Sequence, residues 1–198
     1  ESIRYIRSNL GVNDFNYLEN QVLERLVHTS GDFSIQTLLE FGENSCEKAI
    51  KSLQKGAPIL TDTDMAAAAI KSMAAKTHGN EVVSAKRWVI DDMNCELTKT
   101  AYGIEKGWLE LSAKNVGLKS PIVVIGSSPT ALINLLNILE DSKASPSLII
   151  GMPVGFIGVE KSKKKLIGSN HHRIVLNSTR GGAAMAAAAV NALLREST

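Results

Sequence analysis

Cysteine is nearly missing: Cys46 and Cys95 are the two in 198 residues, and they lack the spacing of a metal-ligand set. That excludes a disulfide framework and fits reduced, structural thiols in a cytoplasmic protein. Charge of one sign is missing too. Twenty-two Lys and Arg stand against twenty Asp and Glu, a net +2 that gives no reason to expect nucleic acid. No apolar run is long enough for a membrane: the uncharged, Ala-rich stretch Gly181–Leu194 falls short of the roughly 18 residues a span needs. It is expected to be a helix that packs closely in a core. No secretory signal opens the chain, although Glu1 lies in an apparent helix, so a few residues are expected to precede it. Neither a P-loop nor a dinucleotide fingerprint occurs, since Gly155-Phe156-Ile157-Gly158 is not followed by the required spacing. No Ser/His/Asp or Cys/His arrangement for nucleophilic catalysis is legible, and no internal repeat or linker divides the chain.

What is present is a core. At 44% hydrophobic, the chain can bury one, and a single domain over 1–198 is expected. Residues 1–56 read as a helical extension. Asn13 or Asp14 can cap a helix carrying Leu18, Val22, Leu23, Leu26 and Val27, with Gly31 as its stop. A further helix runs from about Cys46 to Gly56. From 57 onward, short apolar runs at Pro58–Leu60, Val82–Ala85, Pro121–Ile125, Leu148–Ile150 and Arg173–Leu176 alternate with helical stretches. That alternation predicts a three-layer α/β/α domain on a mostly parallel five-stranded sheet.

Ligands in such sheets bind beyond the carboxyl ends of the strands. There the sequence offers Thr61-Asp62-Thr63-Asp64, Gly126-Ser127-Ser128-Pro129-Thr130, Gly151–Gly158 and Asn177-Ser178-Thr179-Arg180-Gly181-Gly182. Hydroxyls, free N–H groups and helix starts suit anions, and the apolar glycine loop suits a broad flat face. Each loop singly is also explained by ordinary turns and caps. Together they point to a large, partly apolar ligand fringed with negative groups.

Arg25 and His28 stand three apart on the helix that Gly31 ends, so both are expected to project from one face. His titrates near neutrality, about pH 6.5 unperturbed, and can give or take a proton. Arg holds a carboxylate bidentately. The bland alternative is a solvated pair. The run Lys161, Lys163, Lys164 and Lys165 reads as a solvated helix face. His78 reads as a helix C-terminal residue, and adjacent His171 and His172 lack a third ligand for a metal. Asp91 and Asp92 read as a solvated turn.

Gly151-Met152-Pro153-Val154-Gly155-Phe156, then Ser162-Lys163, then Arg180-Gly181-Gly182 running into alanines, resembles the precorrin-8X methylmutase family. Val27-His28-Thr29-Ser30-Gly31-Asp32, Asp62-Thr63-Asp64-Met65 and Ser128-Pro129-Thr130-Ala131-Leu132 match in the same order, so the resemblance covers the whole chain. It implies a flavodoxin-like fold, a homodimer with substrate near the subunit interface, and migration of a methyl group from carbon eleven to carbon twelve of a corrinoid at ring C. The product would be hydrogenobyrinate or its cobalt form, cobyrinate. The family's catalytic histidine falls on His28, and its substrate-contacting serine and arginine fall on Ser2 and Arg25. Arg180 is expected to hold a further carboxylate.

The chain departs from the family at Gly126-Ser127-Ser128, at Lys161 and at Thr179, positions expected to touch peripheral carboxylates. The Thr29–Asp32 continuation resembles the anaerobic, cobalt-containing branch more than the aerobic one. No cofactor is implied, because any cobalt belongs to the substrate. Product hand-over to neighbouring pathway enzymes is implied as an option. A corrinoid carrier without turnover, or a flavodoxin-like enzyme for a phosphorylated ligand, are the competing expectations.

Overall fold

Runs such as Ile122-Val123-Val124-Ile125 are apolar at every position because both faces of the strand are covered. The computed structural model describes residues 1–90 and 96–198, so the readings at Asp91, Asp92 and Cys95 lie outside the described residues. Five parallel strands form β2 (Ile59–Thr61), β3 (Val82–Ser84), β4 (Ile122–Ile125), β5 (Leu148–Gly151) and β6 (Arg173–Leu176). A sixth, β1 (Leu39–Phe41), pairs antiparallel with β6, Leu39 opposite Leu176, giving the order β1-β6-β5-β4-β2-β3.

Among the described residues this corrects the expected five strands to six. Residues 1–56 hold a strand as well as helices. Leu39-Glu40-Phe41 is too short to show a period. As an edge strand it also needs a ladder partner on one side only, so it carries no buried apolar run.

The helices are α1 (Ser2–Asn9), α2 (Tyr17–Ser30), α3 (Ser45–Gln54), α4 (Asp64–Lys76), α5 (Lys99–Lys114), α6 (Pro129–Glu140), α7 (Val159–Ile167) and α8 (Ala183–Glu196). Alternation along each strand divides the core. Ile59, Ile122, Val124, Ile150 and Ile174 pack with α2, α3, α4 and α8, while Leu60, Val123, Ile125, Ile149 and Val175 pack with α5, α6 and α7. The Ala-rich α8 lies between α2 and α4, its small side chains allowing close approach on both flanks. Among the described residues no helix is long and apolar enough to cross a membrane.

The helix that carries His28 starts later than expected. Asn16, rather than Asn13 or Asp14, caps α2: its Oδ1 accepts the Glu19 N–H at 3.0 Å, and Glu19 Oε2 accepts the Asn16 N–H at 2.9 Å. This reciprocal capping box satisfies two otherwise orphaned donors. Gly31 ends the helix in the left-handed region at φ 67°, as its position in the sequence predicts.

Candidate active site at the carboxyl edge of the sheet

Helix α1 brings Ser2 to the end of α2. It docks through buried Ile6 and through Arg7, whose Nε donates to Glu24 Oε1 at 2.5 Å, with Glu24 itself buried in α2. That hydrogen bond and charge raise the Arg7 pKa further above its already high value. Between the two helices lies an open hollow of about 590 Å³, lined by Ser2, Tyr5, Ile6, Val27, His28 and Phe33 among others. Such a volume is in the range of small-molecule pockets. His28 is exposed there, in the last turn of α2. Tyr5 and Phe33 meet edge to face at 6.5 Å, making one apolar wall.

Arg25 is placed differently from the expectation that it shares one space with His28. It is half-buried, does not line the hollow, and lies toward the end of α8. Burial, followed by the like charge of Arg195, lowers its pKa. Among the described residues no carboxylate lies within ion-pair distance of it.

Arg180 meets the segment that follows α2. Its guanidinium bonds to the Asp32 carboxylate and donates to Ser34 Oγ at 2.7 Å, tying the loop after β6 to the segment after α2. A shallow cavity of about 330 Å³ adjoins this contact, lined by Thr29, Ser30, Asp32, Arg180 and Gly181 among others. Thus Ser2 and His28 line one hollow, Arg180 lines a separate cavity against the segment after α2, and Arg25 lines neither.

The strand-end loops interlock. A Cβ on Gly181, at φ +152°, would lie 2.1 Å from Met152 O, and one on Gly126 would lie 2.7 Å from Ala183 Cα. Only glycine fits either position, so the loops after β4, β5 and β6 are fixed against one another. Beside them Phe156 and Ile157 are each 92% exposed and Val154 is half-exposed, an apolar shelf next to the charged edge.

Two residues matter in ways sequence reading missed. The Asp62 carboxylate lies at the point where β2 and β4 diverge to opposite crossovers. There its Oδ2 accepts the N–H groups of Gly126, Ser127 and Ser128 at 3.1, 2.6 and 3.1 Å. Burial raises its pKa, against those three donors, which favour the charged form. Lys163 is not on a solvated face: it is wholly buried, and its ammonium donates to Ser178 O at 2.7 Å and Arg180 O at 2.6 Å. A signal for this was present. Val159, Ser162, Lys163 and Leu166 follow the i, i+3, i+4, i+7 spacing of a core-facing stripe, and all four are buried.

The other histidines lie elsewhere. His78 Nε2 contacts Ser197 O and Oγ at 3.0 and 2.9 Å, while His171 pairs with Ser145 Oγ and His172 with Glu43 O. No group of three His, Cys, Asp or Glu among the described residues is placed to hold a metal ion.

The family model for precorrin-8X methylmutase matches residues 1–196. This chain belongs to that family. It is 32% identical over 197 residues to a precorrin-8X methylmutase of Sinorhizobium sp., covering 98% of this chain and 91% of that one. It is 30% identical over 209 residues to a cobalt-precorrin-8 methylmutase of Synechocystis sp., covering 98% and 92%. A crystal structure of precorrin-8X methylmutase from Thermus thermophilus superposes with a TM-score of 0.86 at 29% identity, over 99% of this chain and 93% of that one.

Proposed function

We propose that the protein is an isomerase of cobalamin biosynthesis that moves a methyl group from carbon eleven to carbon twelve, at ring C, of precorrin-8X or cobalt-precorrin-8. The observation that carries this is an accessible imidazole, His28, at an open hollow shared with Ser2, in a chain matched to the family along its length. The protonated His28 gives its proton to the ring C region of the conjugated macrocycle. Carbon twelve becomes electron-poor, the methyl leaves carbon eleven with its bonding pair and bonds to carbon twelve, and the proton returns to His28. No external nucleophile or oxidant enters the balance. A positioned acid of this kind supplies about 10²–10⁴ in rate, and holding the migrating group over its target supplies more.

The macrocycle's acetate and propionate arms suit Arg180, Arg25 and the Ser2 hydroxyl, and its flat face suits the shelf at Val154, Phe156 and Ile157. Cobalt, where present, travels with the substrate. A second copy of the chain is expected to complete the open side of the hollow, which makes the homodimer part of this reading. A flavodoxin-like description is supported by the five parallel strands, which follow the 2-1-3-4-5 order when counted from β2. Cys46 is buried, in keeping with a cytoplasmic setting where thiols stay reduced. The phosphorylated-ligand alternative loses its best seat, because Asp62 already fills the N–H cradle at Gly126–Ser128.

The direct test is to mix the purified protein with precorrin-8X or cobalt-precorrin-8 and follow the visible spectrum. Conversion to hydrogenobyrinate or cobyrinate is expected. Tight binding of both products with no isomerisation of either substrate form would instead identify a carrier.

A further inference from the structure

Lys163 presents a physical problem. A cation wholly out of water costs several kcal/mol unless an opposite charge or strong acceptors compensate, and no carboxylate pairs with this one among the described residues. Its two acceptors are both carbonyls of a single short segment, Ser178 and Arg180. Between them the Thr179 carbonyl accepts the Gly155 N–H at 3.1 Å, and Ser178 Oγ accepts the Arg180 N–H at 3.1 Å. Three successive carbonyls are therefore held by donors from outside the segment. The two outer ones are held by charge-assisted bonds, about twice as strong as neutral ones.

That arrangement has a direction. With its carbonyls committed to Lys163 and Gly155, the segment leaves the Arg180 side chain half-exposed, in reach of Asp32 and Ser34 on the segment that follows the His28 helix. It also delivers the chain to α8, whose first turn has no side-chain cap at Gly182. The region thus sets Arg180, held by Asp32, beside an uncapped helix start, with the Lys163 ammonium beneath. A residue needed only for packing at this site could be apolar. An ammonium is what gathers two carbonyl oxygens into one point.

We propose that Lys163 is a positioning residue: its ammonium clamps the Ser178 and Arg180 carbonyls so that the Arg180 guanidinium is offered to a carboxylate arm of the substrate. This rests on the reading of Arg180 as a carboxylate anchor, and the experiment separates the two. Affinity for hydrogenobyrinate is titrated by visible absorbance for the wild-type protein, Arg180→Ala, Lys163→Met and the double variant, alongside kcat and KM.

Arg180→Ala is expected to weaken binding about tenfold, or about 1.4 kcal/mol. Lys163→Met should weaken it about fivefold, with KM raised and kcat kept, and the double variant should bind no worse than Arg180→Ala alone. Such non-additivity marks two residues acting as one unit. A lysine that serves stability alone would lower the thermal midpoint and leave the folded protein's affinity unchanged. If Lys163→Met does not fold, Lys163→Gln, whose shorter and uncharged side chain removes the ammonium clamp, replaces it in the same cycle under the same criterion.

Losses that multiply in the double variant overturn the inference, as does a Lys163 variant with wild-type affinity beside a weakened Arg180→Ala; either leaves Arg180 as an anchor. An Arg180→Ala protein that binds like wild type overturns the anchor and the inference together, while turnover by His28 stands.

Discussion

Two loops at the carboxyl edge of the sheet read alike in sequence and do opposite things in the fold. Gly126-Ser127-Ser128 and Ser178-Thr179-Arg180-Gly181-Gly182 are both small-residue turns that open a helix, and both would suit an anion. In the first, three N–H groups converge on the Asp62 carboxylate, so the cradle comes with its own anion and is closed. In the second, a buried cation gathers the carbonyls, no side chain caps the helix, and a half-exposed guanidinium is held by Asp32. A glycine turn before a helix is thus neutral evidence for ligand binding. What decides is the charge the fold places behind it.

The largest expected effect falls at the open side. His28→Ala should lower turnover by about 10²–10⁴ while corrinoid binding persists; single-turnover absorbance measures it, and a variant isomerising at the wild-type rate removes His28 from the chemistry. Next, Asp62→Ala should convert the closed cradle into an open one. It leaves one buried and two part-buried N–H donors without their acceptor and should cost about 3 kcal/mol in urea unfolding. Inorganic phosphate should then raise the variant's thermal midpoint and not the wild type's. Equal phosphate shifts in both proteins would erase the distinction between the two loops.

Asp32→Ala sharpens the comparison from the other side. Asp32 is the carboxylate that Arg180 holds when no ligand does, and an exposed pair of this sort is worth about 0.2–1 kcal/mol. Removing it should tighten hydrogenobyrinate binding by about threefold; unchanged or weaker binding would assign Asp32 to the site itself.

A further effect is in pH. Burial pulls the Lys163 pKa from its ordinary 10.5 down to about 8, with Glu160 opposing. Between those values the unfolded chain holds a proton that the folded chain has released, so stability should rise with pH across about 8 to 10.5. Urea midpoints of wild type and Lys163→Met measured across that window isolate the contribution, which should be absent in the variant.

The sequence made the five parallel strands and their helices readable because a strand covered on both faces must be apolar throughout. The bounds moved by a residue or two, as at Pro58–Leu60, which became Ile59–Thr61. Leu39–Phe41 left no trace because it is short and sits on the edge. Ser2 and His28 were nameable through the family likeness, and the fold puts them on one hollow. Arg25 shows the limit of i, i+3 reasoning: α2 packs on α8, and that contact, invisible in the local spacing, draws Arg25 away from the hollow. Asp62 was legible only as part of a polar turn, since its three partners depend on a crossover that sets β2 beside β4. Lys163 was hidden differently. Its neighbours Lys161, Lys164 and Lys165 drew attention to charge, when the heptad-like spacing already placed it inward.

The antiparallel pairing of β1 with β6 has a bearing on how the protein is made. Leu39 finds its ladder partner, Leu176, near the far end of the chain, and α2 is buried against α8, the final helix. Contacts this distant in sequence form late. A nascent chain without α8 therefore has His28 on a helix that lacks its backing, and a fragment stopped before α8 is expected to be inert however complete its first half.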